Sequence, residues 1–190
     1  MPSRVINLIV IHCAATANGV ALARNGLTAA QVIDRWHGAP VRDKAGRIVR
    51  EHMFERTPIW RLHTRGHLFH LGYHDVIDVD GTRERGRDDD ELGAHVNGHN
   101  RNSLGICMAG TDKFTLEQWA TLRNVVQERL KKYPGARVCG HRDLSPDTDG
   151  DGTVERHEWL KICPGFDVTT WWLLRNFEPL SGHIVGERPR

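Results

Sequence analysis

The sequence predicts a single α/β domain in which a central mixed β-sheet is flanked by helices. Three observations carry this. Short apolar runs rich in Val and Ile recur at residues 5–12, 72–79, 103–109 and 136–140, each of strand length. Two intervening stretches, 29–36 and 115–133, repeat their apolar residues at helical spacing. A chain of 190 residues with 39% hydrophobic content supplies one sizeable core and is short for two.

Residues 5–12 suit a strand buried on both faces, with His12 at the carboxyl end, where α/β sheets usually carry their sites. Cys13 then points to the opposite face, toward core. Thr28 is placed to cap a helix that sets Ala29, Val32, Ile33 and Trp36 against the sheet. From 38 to 71 the residues Arg42, Lys44, Arg47, Arg50, Arg56, Arg61 and Arg65 outnumber the acids, and Pro40, Gly46, Pro58 and Gly66 interrupt any period. This reads as a solvated basic insertion with a short helix near 48–54, or else as a loop flanking an active cleft. Residues 72–79 enter a hairpin through Asp80-Gly81. A loop holding His95 and Asn100 leads to the strand 103–109, where Cys107 is a core residue. Thr115, with Glu117 and Gln118 behind it, starts a helix that puts Trp119, Leu122, Val125, Val126 and Leu130 on one side until Pro134-Gly135 stops it. The strand 136–140 delivers His141. A last helix rich in Trp and Leu is expected at 168–177, closing a domain of residues 1–177, and 178–190 reads as a loose tail.

With 26 basic against 24 acidic residues the net charge is +2, which builds no large field for nucleic acid or an anionic membrane. No run approaches the ~20 apolar residues of a membrane span, and the first apolar run is too short for a signal peptide. The chain is therefore expected to be a monomer, made in the cytoplasm, without stable membrane insertion. Its four cysteines lack the dense spacing of a disulfide scaffold and read as reduced thiols.

Two metal-site signals are nested between residues 141 and 163. His141 and Cys163 are donors that zinc prefers, and His12 is the expected third ligand, which leaves a position open for chemistry. By spacing Cys139 competes, because two residues before His141 it shares a face with it. Inside this pair, Asp147, Asp149, Asp151, Gly152, Thr153, Glu155 and Glu158 fall at positions 1, 3, 5, 6, 7, 9 and 12 of an EF-hand calcium loop. Leu144-Ser145-Pro146 stands where an entering helix would, which favours a single structural loop that braces the connection between His141 and Cys163 and positions Lys161.

Together, Ile-Val-Ile-His12-Cys, Gly-Tyr73-His74, Asp80-Gly81 with Gly86-Arg87, Gly93-Ala94-His95, Asn102-Ser103-Leu104-Gly105, His141-Arg-Asp and Lys161-Ile-Cys163-Pro resemble the zinc-dependent N-acetylmuramoyl-L-alanine amidases of the phage lysozyme, or endolysin, type. These are related in fold to the peptidoglycan recognition proteins, and the resemblance runs from about residue 5 to about residue 172. It implies zinc on His12, His141 and Cys163, with Tyr73 and Lys161 assisting catalysis. It also implies peptidoglycan as partner and zinc-activated water cleaving the bond between N-acetylmuramic acid and L-alanine. The enzyme would lyse the cell by reaching the periplasmic wall after holin-type release. His74 and His95 either line the cleft and bind substrate or are structural. Two departures stand out: the segment before Tyr73 is long, so either Trp36-His37 or residues 60–63 fill the family's Trp-His place, and the calcium-like loop enlarges the gap between His141 and Cys163. The competing readings are a noncatalytic peptidoglycan-binding module, whose relatives lose the cysteine, and a cytoplasmic recycling amidase for anhydro-muropeptides, whose relatives carry aspartate there.

Overall fold

The computed structural model describes residues 4–187. Seven strands and three α-helices form in the order β1 (Leu8–Cys13), α1 (Ala29–His37), β2 (Val41–Arg42), β3 (Ile48–Arg50), α2 (Pro58–His63), β4 (Asp75–Ile77), β5 (Arg83–Arg85), β6 (Ser103–Met108), α3 (Leu116–Lys132) and β7 (Arg137–Gly140). Five strands make the central sheet in the order β5-β4-β6-β1-β7. It is mixed, since β1 runs parallel to both β6 and β7, and β4 parallel to β6, while β5 closes a hairpin antiparallel to β4.

Alternation along β1 sorts the core. Ile9 and Ile11 face the largest apolar cluster with Trp119, Leu122, Val125 and Val126 of α3, while Leu8 and Val10 face the other side with Val96 and Cys139. Cys13 packs against the α3 cluster, as its parity requires. On the opposite side of the sheet, Ala29, Ala30 and Ile33 of α1 pack on Val76 and Cys107. Both long helices start with a reciprocal capping box, Thr28 with Gln31 and Thr115 with Gln118.

Three local expectations are corrected. Residues 48–54 are not helical: Ile48 and Val49 are β-branched, and their strand pairs Ile48 with Arg42 and Arg50 with Val41 across a turn in which Asp43 accepts from the amides of Ala45 and Arg47, and Gly46 takes φ +81°. The short helix lies further on, behind Pro58 at its first turn. Nor is the segment solvated throughout, because Arg56, Leu68 and Leu71 are fully buried. The last helix shrinks to one π-helical turn, Thr170–Leu174, ended by the left-handed residues Asn176 and Phe177. The tail is docked through residue 187. Phe114 donates to the His183 carbonyl (2.9 Å) and accepts from the Val185 amide (3.0 Å), while Leu180 and Ile184 pack on the core. An apolar pair and an open strand-like edge at Phe114 were enough to capture it. Residues 188–190 of that tail lie outside the described ones.

Candidate metal centre and catalytic cleft

Adjacent parallel strands bring the first two donors together. Ile11 pairs with Gly140, so the next residues along, His12 and His141, stand side by side with ring centroids 4.7 Å apart. Cys163 reaches them by a strap whose backbone is tied to the strand end, the Arg142 amide donating to the Cys163 carbonyl at 2.9 Å. The Cys13 amide donates to the Cys163 sulfur (3.2 Å), which lies 3.8 Å from His12 Nδ1. One donor atom from each of His12, His141 and Cys163 falls within 4.8 Å of the others, and among the described residues no fourth His, Cys, Asp or Glu joins them. Cys139 is instead buried with Val10 and Val96, which removes it as a competitor.

The electrostatics suit a cation. Burial holds the His12 imidazole well below its ordinary pKa, and burial with the nearby Lys161 charge pushes His141 down to about 4. Both rings are neutral at neutral pH and offer lone pairs. The hydrogen bond with Cys13 and burial hold the Cys163 thiol above its ordinary range, so a bound cation would take the place of that proton.

Tyr73 stands on this cluster, its ring centroid 5.1 Å from that of His12. Burial keeps its phenol protonated, with the Cys107 thiol bonded to it and Cys163 nearby. Lys161 is exposed and close enough for its charge to act on both ligating imidazoles. His37, at the end of α1, settles the Trp-His ambiguity: its ring lies 5.4 Å from Tyr73, and its Nδ1 accepts from the Gly72 amide at 3.0 Å. Its only sequence signal was the Trp-His pair at a helix end.

The other two expected histidines, His74 and His95, are buried with protein partners at their rings. His74 is fully buried with both ring nitrogens taken by backbone, Nδ1 by the Gly105 amide (3.0 Å) and Nε2 by the Glu91 carbonyl (3.1 Å). His95 is buried behind the cluster, its Nδ1 3.0 Å from His12 Nε2.

In the acidic loop, Asp147, Asp149 and Asp151 converge at the surface. Asp147 accepts from the amides of Gly150 (2.6 Å) and Gly152 (2.8 Å), and Asp151 from that of Thr153 (2.8 Å). Glu158 departs from the EF-hand pattern. It is buried, accepts from the amide and hydroxyl of Thr148, and groups with Asp149, Glu155 and His157 but not with Asp147 or Asp151. Those bonds hold its carboxyl down at about 2. Thr153 is exposed at the loop surface.

The architecture recurs in solved structures. The ectodomain complex of peptidoglycan recognition proteins LCa and LCx, bound to tracheal cytotoxin, aligns with TM-score 0.55 and 21% identity, covering 90% of this chain and 84% of that one. The fold is thus the α/β fold of that structure. Within it, the chain matches the N-acetylmuramoyl-L-alanine amidase family over residues 2–165 and belongs to that family of amidases. An uncharacterized protein of Haemophilus influenzae is 48% identical over 101 residues, which cover 49% of this chain and 87% of the relative. The endolysin of Klebsiella phage KP32 is 36% identical over 110 residues, covering 54% of this chain and 64% of the endolysin.

Proposed function

We propose that the chain is a zinc-dependent, endolysin-type peptidoglycan amidase that cleaves the bond between the lactyl group of N-acetylmuramic acid and L-alanine. The observation that carries it is the convergence of two neutral imidazoles and one thiol, from three separate places in the chain, beside a half-buried tyrosine and an exposed lysine. Two nitrogens and a sulfur are a donor set that zinc accepts, and three protein ligands are the number that leaves a position for reaction. Bound there, zinc would supply a Lewis acid and a water of lowered pKa.

The chain's own groups do the rest. Tyr73 keeps its proton and donates to oxygen as the amide carbonyl gains negative charge. Lys161 brings a positive charge to the same place, and it adds to the burial that holds His12 and His141 neutral with their lone pairs free. The acidic loop supports a structural calcium ion through its EF-hand spacing and its three converging aspartates. Glu158 would have to turn from Thr148 to join it. A calcium-selective chelator should then lower the melting temperature.

The endolysin relatives support a role in cell lysis, and the proposal extends this to synthesis in the host cytoplasm and holin-type release to the periplasmic wall. The test compares purified sacculi with soluble anhydro-muropeptides. New L-alanine amino termini on sacculi, abolished by a zinc chelator and restored by zinc, support the reading. Preference for the soluble fragments would assign a recycling enzyme, and binding without cleavage a recognition module.

A further inference from the structure

We propose that His95 and Ser103 act as positioning residues that fix the tautomer of His12, presenting its Nδ1 lone pair to the metal. This rests on the zinc reading above, but the polarity follows from hydrogen bonds alone. The Ser103 hydroxyl lies 2.8 Å from the His99 carbonyl, which can only accept, so its proton is used there. The same oxygen is then left to accept from His95 Nε2 at 3.3 Å. A neutral imidazole carries one N–H, so His95 Nδ1 is bare and accepts from His12 Nε2 at 3.0 Å. With its proton on Nε2, His12 has Nδ1 free, and Nδ1 is the atom 3.8 Å from the Cys163 sulfur. One backbone carbonyl thus sets the direction of three successive groups.

The chain is built into the fold. A Cβ on Gly93 or on Gly105 would lie 2.6 Å from the His95 ring, so two glycines open the space it fills. The amides of His95 and Val96 both donate to Asn100 Oδ1, at 2.8 and 3.0 Å. His74 braces the ring edge-on, at 5.6 Å and 86°. Ser103 is fully buried at the start of β6, beside β1 in the sheet. His95 therefore acts through His12 and touches no substrate.

The experiment measures zinc affinity by chelator competition and the His12 tautomer by 15N imidazole NMR on the metal-free chain. The variants are His95→Leu, His95→Gln and Ser103→Ala. In the unsubstituted chain His12 should carry its proton on Nε2. His95→Leu should mix the tautomers and weaken zinc about 10- to 100-fold. His95→Gln, whose amide oxygen can accept from His12, should recover most of that loss. Ser103→Ala leaves His95 free to reverse and should give an intermediate loss, which carries the test if the leucine variant does not fold. An Nδ1–H form of His12 in the unsubstituted chain, unchanged affinity in Ser103→Ala, or glutamine as poor as leucine would overturn the proposal. A chain that binds no zinc at all overturns the metal reading instead, and the NMR arm still decides the tautomer.

Discussion

Replacing Glu91 with alanine should destabilise the fold more than any change in the cleft. Arg56 is completely buried, and its Nε and Nη2 grip the two oxygens of Glu91 at 2.8 and 2.7 Å. Its other bonds go to neutral oxygens, Nη1 to the carbonyls of Arg65 (3.0 Å) and Leu68 (2.9 Å) and Nη2 to the carbonyl (3.2 Å) and hydroxyl (3.4 Å) of Thr64, so Glu91 is the carboxylate bonded to it. Arg87, also buried, sits 3.8 Å from the same carboxylate. Removing Glu91 strands two desolvated cations, and breaking such a buried pair from one side costs about 3–5 kcal/mol. For a chain of this size that corresponds to a fall in melting temperature of roughly 6–20 °C. Urea unfolding followed by circular dichroism measures it, and added salt should recover little, since buried pairs are weakly screened. The double variant Arg56→Met with Glu91→Leu should regain part of the loss. It will not regain all of it, because three carbonyls lose their donor. A loss under about 1 kcal/mol, or a double variant no better than Glu91→Ala, would refute the argument. The effect should reach the site, because this segment also carries Phe54, 4.8 Å from the His37 ring that stands against Tyr73.

Tyr73→Phe and Lys161→Ala should each lower kcat about 10²- to 10³-fold while zinc binding is kept, as removal of an oxyanion donor does; loss of zinc in either, by elemental analysis, would show that the residue holds the metal site instead. With metal removed, the protein should lose stability as pH falls from about 6.5 toward 4. Burial depresses the folded pKa of His12, His74 and His95, and brings His37 and His141 to about 4, so in that window the unfolded chain binds more protons. Each such proton contributes about 1.4 kcal/mol per pH unit. Asp75, raised to about 6 by burial, and Glu155, also raised, work the other way but are outnumbered. Urea midpoints that stay level or rise between pH 7 and 5 would contradict this.

Four strands of the central sheet were readable because they lie in apolar runs of strand length, while the charged β5 follows only from the Asp80-Gly81 hairpin, and α1 and α3 were readable because each pairs a capping threonine with helical periodicity. The cluster of His12, His141 and Cys163 was readable as chemistry plus position at strand ends. What failed shares one cause, that tertiary partners decided the outcome. Residues 178–187 look polar and loose in isolation, but their backbone completes an edge at Phe114 that local sequence does not announce. Arg56 counts as one more surface charge until Glu91, 35 residues away, is placed beside it. His95 was visible as a cleft histidine but not as a partner of His12, since that pairing depends on β6 lying next to β1. Cys139 and His141 share strand parity only if the strand continues; the chain instead turns into a 3-10 segment at His141, which separates them.

The acidic loop lies between His141 and Cys163, the two donors proposed for zinc, yet the structure gives it little leverage on them. The chain leaves and returns through a neck closed by protein groups alone. Leu160 N donates to Ser145 Oγ at 3.0 Å, Arg142 N to the Cys163 carbonyl at 2.9 Å, and the Arg142 guanidinium lies 4.1 Å over Trp159 while bonding Asp167 at 2.9 Å. Inside the neck, Thr148 and Glu158 close the loop on itself. Since loop-closure entropy rises only slowly with length, a segment of this size can be carried without moving the ends. Replacing residues 147–158 by a short Gly/Ser turn should therefore abolish any response to calcium while leaving zinc affinity nearly unchanged, measured by the same chelator competition. A zinc loss of about tenfold or more, the size expected when support of a metal ligand fails, would show instead that an ion in the loop holds His141 and Cys163 in place.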